Sequence, residues 1–111
     1  MTAASNSAET MSVVIADAPE RERYEIHVDG ELAGFTLYKT RPGIIAFIHT
    51  EVVEGFQGRG LGERLIAYAL DDARKRGLAV LPFCPFVQSF IQSHPDYVDL
   101  VPESQREPFE L

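Results

Sequence analysis

Cysteine is nearly missing from this chain. Cys84 stands alone, so no internal disulfide can form, and a lone thiol persists most easily in a reducing compartment. Basic residues are scarce too, ten against seventeen acidic ones, for a formal charge of −7. That balance excludes broad electrostatic binding to nucleic acid or to an anionic membrane, and any anionic ligand needs a local site of its own. No apolar stretch approaches the roughly 20 residues of a membrane span. No basic segment followed by an apolar one opens the chain, and no internal repeat or interdomain linker breaks it. No set of Cys, His and carboxylate residues has metal-ligand spacing, so no metal is expected. These absences together point to a cytoplasmic protein with neither nucleic acid nor membrane as partner.

What remains is an ordinary globular composition, 45% hydrophobic and 24% charged over 111 residues, enough for one domain with one core. Met1 to Thr10, rich in Ala, Ser, Asn and Thr without hydrophobic period, is read as a disordered tail, leaving a single domain over 11–111. Strands are expected at Val13 to Ile15 and Tyr24 to Val28, separated by Pro19 and the charged run to Arg23. Asp29-Gly30 tolerates positive φ at both positions and turns the chain into a strand from Glu31 to Tyr38. After Arg41-Pro42-Gly43 the run from Ile44 to Val53 reads as a long central strand. Leu61, Leu65, Ile66, Ala69, Leu70 and Ala73 then recur at helical spacing, ended by Arg74-Lys75-Arg76 and Gly77. Leu78 to Leu81 follows as a short strand, parallel to the central one because a helix crosses over between them. Pro85 opens a second helix with an apolar face of Phe86, Val87, Phe90 and Ile91. His94-Pro95 breaks it, and Tyr97 to Val101 reads as a last strand. The fold class is α/β: an antiparallel meander, a crossover helix, a parallel strand and a short helix.

Chemistry concentrates in the loop between the long strand and the first helix. Gly58, Gly60 and Gly62 let successive backbone amides converge on one point, where the starting helix adds unpaired amides and its positive dipole end. A pyrophosphate suits such a cradle. The letters argue against two phosphate motifs: Gly62 is followed by Glu63-Arg64 rather than the Lys and Ser/Thr of a P-loop, and the third glycine of a dinucleotide fingerprint is replaced by Glu63. The competing reading is a glycine-rich turn without a ligand.

Gln57-x-x-Gly60-x-Gly62, with Val52 on the strand before it and a helix after it, resembles the acetyl-CoA motif of the GNAT superfamily. The resemblance implies acetyl-CoA as co-substrate. Gln57, Gly58, Arg59, Gly60, Leu61 and Gly62, on to Glu63, would present amides to its pyrophosphate. The backbone of Thr50 and Val52 would pair with the pantetheine arm as an added strand. The string Phe47 to Val52, the glycine loop and the cysteine in Leu81-Pro82-Phe83-Cys84-Pro85 resemble in particular a subgroup of minimal GNAT-like proteins, over almost everything from Val13 to Val101. Larger relatives carry helices between their first two strands that help build an acceptor pocket, where this chain has only Ala18 to Arg23. Many also carry a catalytic Glu early in the central strand, where this chain has Ala46.

Two residues are candidates for catalysis. Cys84 lies between Pro82 and Pro85, at a strand end and a helix start, where a thiol is activated. It is read as a nucleophile, as a group packed against the thioester, or as a small core residue. His49 shares a strand face with Glu51 and could be a general base with its orienting partner, or a hydrogen-bonded core histidine. Tyr97 could protonate a departing thiolate, although a tyrosine near a chain end more often packs and bonds once through its hydroxyl. Arg59 could meet phosphates, whereas Arg74 to Arg76 serve the helix dipole. His94 and the acidic tail through Glu110 read as solvated surface. The leading function is acetyl transfer to an unidentified small-molecule or peptide amine; the alternative is a non-catalytic CoA-binding or protein-interaction module. An open acceptor side would leave room for a second copy to complete it, as a homo-oligomer.

Overall fold

Asp29 and Gly30 take φ of 51° and 84°, the left-handed pair that suits a tight hairpin between twisted strands. Similar local rules set most of the elements in the computed structural model, which describes residues 12–111; the tail expected over Met1 to Thr10 lies outside them. β1 (Val13–Ala18), β2 (Arg23–Val28), β3 (Glu31–Arg41) and β4 (Ile44–Val52) form an antiparallel meander. α1 (Leu61–Lys75) crosses over to β5 (Ala79–Pro82), which pairs in parallel with β4, and α2 (Pro85–Ser93) follows. The sheet order is β1-β2-β3-β4-β5.

One face of the sheet meets α1. Tyr24 and Ile26 of β2, Ile45 and Phe47 of β4 and Val80 of β5 are fully buried against Leu65, Ile66, Ala69, Leu70 and Ala73 of the helix. Burial of each Leu or Ile side chain contributes about 1.5–3 kcal/mol, so docking of this apolar stripe is the main force ordering α1. Gly77, at φ 71°, ends it as expected.

A β-bulge decides what the end of β4 presents. Leu37 pairs with His49, but Tyr38 pairs with Phe47, so Ile48 is an extra residue on β4. The alternation therefore slips by one. Ile45 and Phe47 face the core, and beyond the bulge Thr50 and Val52 share that face, while His49 and Glu51 turn to the other. Ile48 itself is 42% exposed. β5 is shorter than β4: its last pair is Phe47 with Pro82, and the Cys84 N–H then donates to the Phe47 carbonyl at 2.9 Å. Beyond that bond β4 runs on to Val52 without β5 beside it, and the sheet opens into a V.

The expected strand over Tyr97 to Val101 is instead a 3-10 helix, Pro95–Leu100. Tertiary bonds bend it: the Tyr97 hydroxyl donates to Asp71, and Arg74 donates to the Asp96 carbonyl and to both oxygens of Asp99. Arg76 likewise donates to the Tyr24 hydroxyl and to Asp72, so both arginines bind particular partners rather than only the helix dipole. The tail after it is not simply solvated, since Leu100, Val101 and Phe109 are buried. His94, although exposed, stacks 4.0 Å from the Phe90 ring. No helix among the described residues is long and apolar enough to cross a membrane.

Candidate functional site

Between β4 and α1 the chain must reverse within a few residues, and it does so through left-handed glycines: Gly55, Gly58 and Gly60 have φ of 97°, 81° and 75°. A side chain at such angles is strained by roughly 1–2 kcal/mol, which is why glycine recurs here. Gly60 is the N-cap of α1, and no side chain caps that end. The first intrahelical bond runs from Arg64 N–H to the Gly60 carbonyl, 3.2 Å. The amides of Leu61, Gly62 and Glu63 precede it and have no intrahelical acceptor. They open, with the positive end of the helix dipole, onto a cleft of about 530 Å3 lined by Thr50, Val52, Gln57, Gly58, Gly60, Leu61 and Gly62. Phe56, Glu63 and Phe86 complete its wall.

Gly62 has a packing reason as well. A Cβ there would meet the Phe86 ring at 2.7 Å and a Val52 methyl at 3.3 Å, so glycine lets the start of α1 press against β4 and α2. Gln57 donates through Nε2 to the Val52 carbonyl at 3.2 Å, marking that carbonyl as an available acceptor on the unpaired edge of β4. Arg59 does not line the cleft: its guanidinium donates to the Gly55 carbonyl at 3.3 Å and lies 5.4 Å over the Phe56 ring.

Cys84 is the N-cap of α2 and is 2% exposed. Its thiol donates to the Thr50 hydroxyl at 3.2 Å, and Thr50 lies 2.9 Å from the Thr36 hydroxyl on β3. Thiol and cleft wall are therefore in contact.

His49 and Glu51 occupy the opposite face. Nε2 of His49 is 3.3 Å from Oε1 of Glu51, both side chains are 56% exposed, and the Phe35 ring lies beside the imidazole at 6.3 Å. A buried core histidine is excluded by that exposure, and the bulge that turns Thr50 toward Cys84 turns His49 away from it. Nearby on the same face, Glu25 is almost buried. Burial alone would push its carboxyl up, but hydrogen bonds from Arg23 and Arg21 outweigh that and hold it below the usual carboxylate range. Tyr97 stands apart, donating to Asp71 on α1. Burial, then that bond, raise its hydroxyl above the normal tyrosine range.

The order of strand, glycine loop and helix, set beside an open sheet, can be compared with known proteins. A sequence model described as GCN5-related N-acetyl-transferase matches residues 23–100. The chain belongs to that family. Among solved structures, the GCN5-related fold is shared with a GCN5-like protein from Staphylococcus aureus, 21% identical, with a TM-score of 0.62 over 79% of this chain and 86% of that one. It is shared too with ribosomal-protein-alanine N-acetyltransferase from Brucella melitensis biovar Abortus 2308, 22% identical, with a TM-score of 0.51 over 67% of this chain and 59% of the other. N-acetylglutamate synthase from Neisseria gonorrhoeae, solved with coenzyme A and N-acetyl-glutamate, aligns at a TM-score of 0.49 and 23% identity over 71% of this chain and 20% of its own. No curated protein matches the sequence. Within this GCN5-related chain, Phe56 and Phe86 are cleft residues that spacing did not reveal. Phe86 had been grouped with the buried face of α2, yet it is 36% exposed while Val87, Phe90 and Ile91 are buried.

Proposed function

We propose that this protein binds acetyl-CoA in the cleft at the open end of β4 and transfers its acetyl group to an amine. One observation carries the reading: uncapped helix amides and the unpaired edge of β4 converge on the same cleft, whose wall includes Thr50, bonded to Cys84. A pyrophosphate set against the amides of Gly58 to Glu63 would be stabilised by donors already oriented for an anion. The pantetheine arm would replace the Gln57 side chain at the Val52 carbonyl and extend past Thr50 as an added strand. Arg59 would swing from Gly55 to add charge at the loop.

The thioester would then lie in the V between β4 and β5. An amine nitrogen approaching from the open face attacks the carbonyl carbon, the C–S bond breaks, and the amine proton passes to His49, held by Glu51. Cys84 either packs against the acetyl group or takes it first as a thioester. Tyr97, tied to Asp71, takes no part.

A second reading is a CoA-binding module without turnover, and a specific observation favours it: between β1 and β2 there is only the short 3-10 turn Pro19–Arg21, so no acceptor wall rises over His49. A second copy or the acceptor itself would have to supply that wall. The test is release of free CoA from acetyl-CoA across a panel of small amines, polyamines and peptides. Amine-dependent release supports transfer; tight acetyl-CoA binding with no release for any amine supports the module.

A further inference from the structure

The sheet face turned away from α1 carries more arginine than it neutralises. The register sets two rows side by side on it: Glu25, Phe35 and Glu51 in one, Arg23, Leu37 and His49 in the next. The Glu25 side chain is only 8% exposed, and one of its oxygens takes both guanidinium groups, Arg23 at 2.7 Å and Arg21 at 3.0 Å. The His27 imidazole is 3.7 Å from its other oxygen. Two guanidinium groups against one carboxylate leave a positive charge over, in a chain whose formal charge is −7. Lys39, the next cation along β3, is already paired with Glu22 at 2.8 Å.

Arg23 keeps most of its donors free. A guanidinium has five N–H groups in one plane; Glu25 takes the Nε–H, and the side chain makes no other hydrogen bond among the described residues. The guanidinium carbon sits 4.5 Å from the centre of the Phe35 ring, and the His49 imidazole stands beside the same ring at 6.3 Å. Phe35 is thus an apolar step with arginine on one side and the His49–Glu51 pair on the other. Arg23 and His49 are two strands apart, roughly 10 Å, a span that a molecule of a few carbons bridges.

We propose that Arg23, fixed by Glu25 and assisted by Arg21, receives a carboxylate of the acceptor, so that the amine acetylated here belongs to a small amino acid whose chain crosses Phe35. The charges suit such a molecule. Its amine end meets Glu51 and His49, its carboxylate meets the arginines, and the carbons between them cover the ring. A guanidinium fork holds a carboxylate by two parallel bonds, and holding that end places the nitrogen beside His49. A plain alkylamine or a polyamine leaves both arginines unmet. The inference rests on the acetyl transfer proposed above and leaves its bond changes as they stand.

The experiment pairs each ω-amino acid from glycine to ε-aminocaproate with its own carboxamide, which keeps the length and removes the charge. With wild type and acetyl-CoA, kcat/KM for the best acid should exceed that for its amide by about 10-fold or more, the effect of a charge-assisted hydrogen-bonded pair. The ratio should fall toward one in Arg23→Gln and be partly kept in Arg23→Lys. Both substrates meet the same protein sample, so any loss of folded material cancels from the ratio. Binding is read separately by nuclear magnetic resonance with coenzyme A present: the acid should shift the Arg23 Nε–H and the Phe35 amide, and the carboxamide neither. Equal use of acid and amide by wild type, an unchanged ratio in Arg23→Gln, or acids that shift neither signal would each overturn the proposal, and acetyl transfer to other amines would still stand. An acid that binds at Arg23 yet is never acetylated sinks the transfer reading and leaves Arg23 as a carboxylate site.

Discussion

The two ends of α1 are built on opposite plans. At the C-terminal end, side chains fasten the helix to β1 and β2, and a strand-to-strand bond braces β3 beside them. The Tyr24 hydroxyl donates to Asp72 at 2.6 Å, the Tyr38 hydroxyl donates to Asp17 at 2.6 Å, and Arg76 reaches Tyr24, Asp72 and Asp17. At the N-terminal end no side chain caps the helix, glycines hold the backbone in left-handed angles, and the sheet has parted beside it. One end closes its hydrogen bonds internally; the other leaves donors for something else. Functional sites are commonly drawn from such low-stability regions, carried by a rigid remainder.

The sharpest way to break this comparison is a reciprocal pair of variants. Gly60→Glu puts a charged side chain on a left-handed residue at the cleft and should weaken acetyl-CoA binding by about 100-fold or more, some 2.7 kcal/mol, while the melting temperature falls only modestly. Asp72→Ala strands the Tyr24 hydroxyl and part of Arg76, and should cost about 2 kcal/mol of stability, near 10 °C in Tm, with acetyl-CoA affinity unchanged. Calorimetric titration and thermal melts of both proteins check the crossover; if both variants lose both properties, the ends are not independent.

A gentler probe is alkaline pH. Burial, then the bonds to Asp72 and Asp17, push the hydroxyls of Tyr24 and Tyr38 far above the ordinary tyrosine range. Because the folded values are raised, the stability they confer is complete below about pH 10, the unfolded value, and is lost as pH climbs beyond it. Tyr24→Phe/Tyr38→Phe should therefore melt lower at neutral pH but lose less on going to alkaline pH than wild type. The smallest effect belongs to Gly62→Ala. The atom in its way is the far tip of the Phe86 ring, which is free to tilt, so CoA affinity should weaken only about threefold, under 1 kcal/mol, with Tm held.

Much of this arrangement was legible from the letters because its causes are local. Asp29-Gly30, Gly77 and Pro85 act within a turn or two, and the apolar stripe of α1 has a period that nothing else mimics. The glycine loop was legible for the same reason: positive φ at Gly58 and Gly60 leaves few other residues possible. The bulge at Ile48 was not, since it exists only relative to β3, yet it decides that Thr50 rather than His49 meets Cys84. Tyr97 to Val101 has strand composition, but bonds from Arg74 and to Asp71, more than 20 residues away in sequence, curl it into a 3-10 helix. Phe86 joined the cleft because α2 leans on Gly62, a contact between elements that no spacing encodes. Arg59 was assigned by charge, and the structure turns it onto Phe56, a neighbour whose ring direction sequence does not reveal.

The central claim is that the backbone of the glycine loop is the ligand-binding element. A titration of amide-labelled protein with coenzyme A, followed by nuclear magnetic resonance, reads it directly. The account predicts that the largest amide shifts fall on Gly58 to Glu63, followed by the unpaired end of β4 at Thr50 and Val52, with the Tyr24–Asp72 end of α1 unmoved. Saturable binding that leaves the amides of Gly58 to Glu63 in place, or shifts centred elsewhere on the fold, would contradict it.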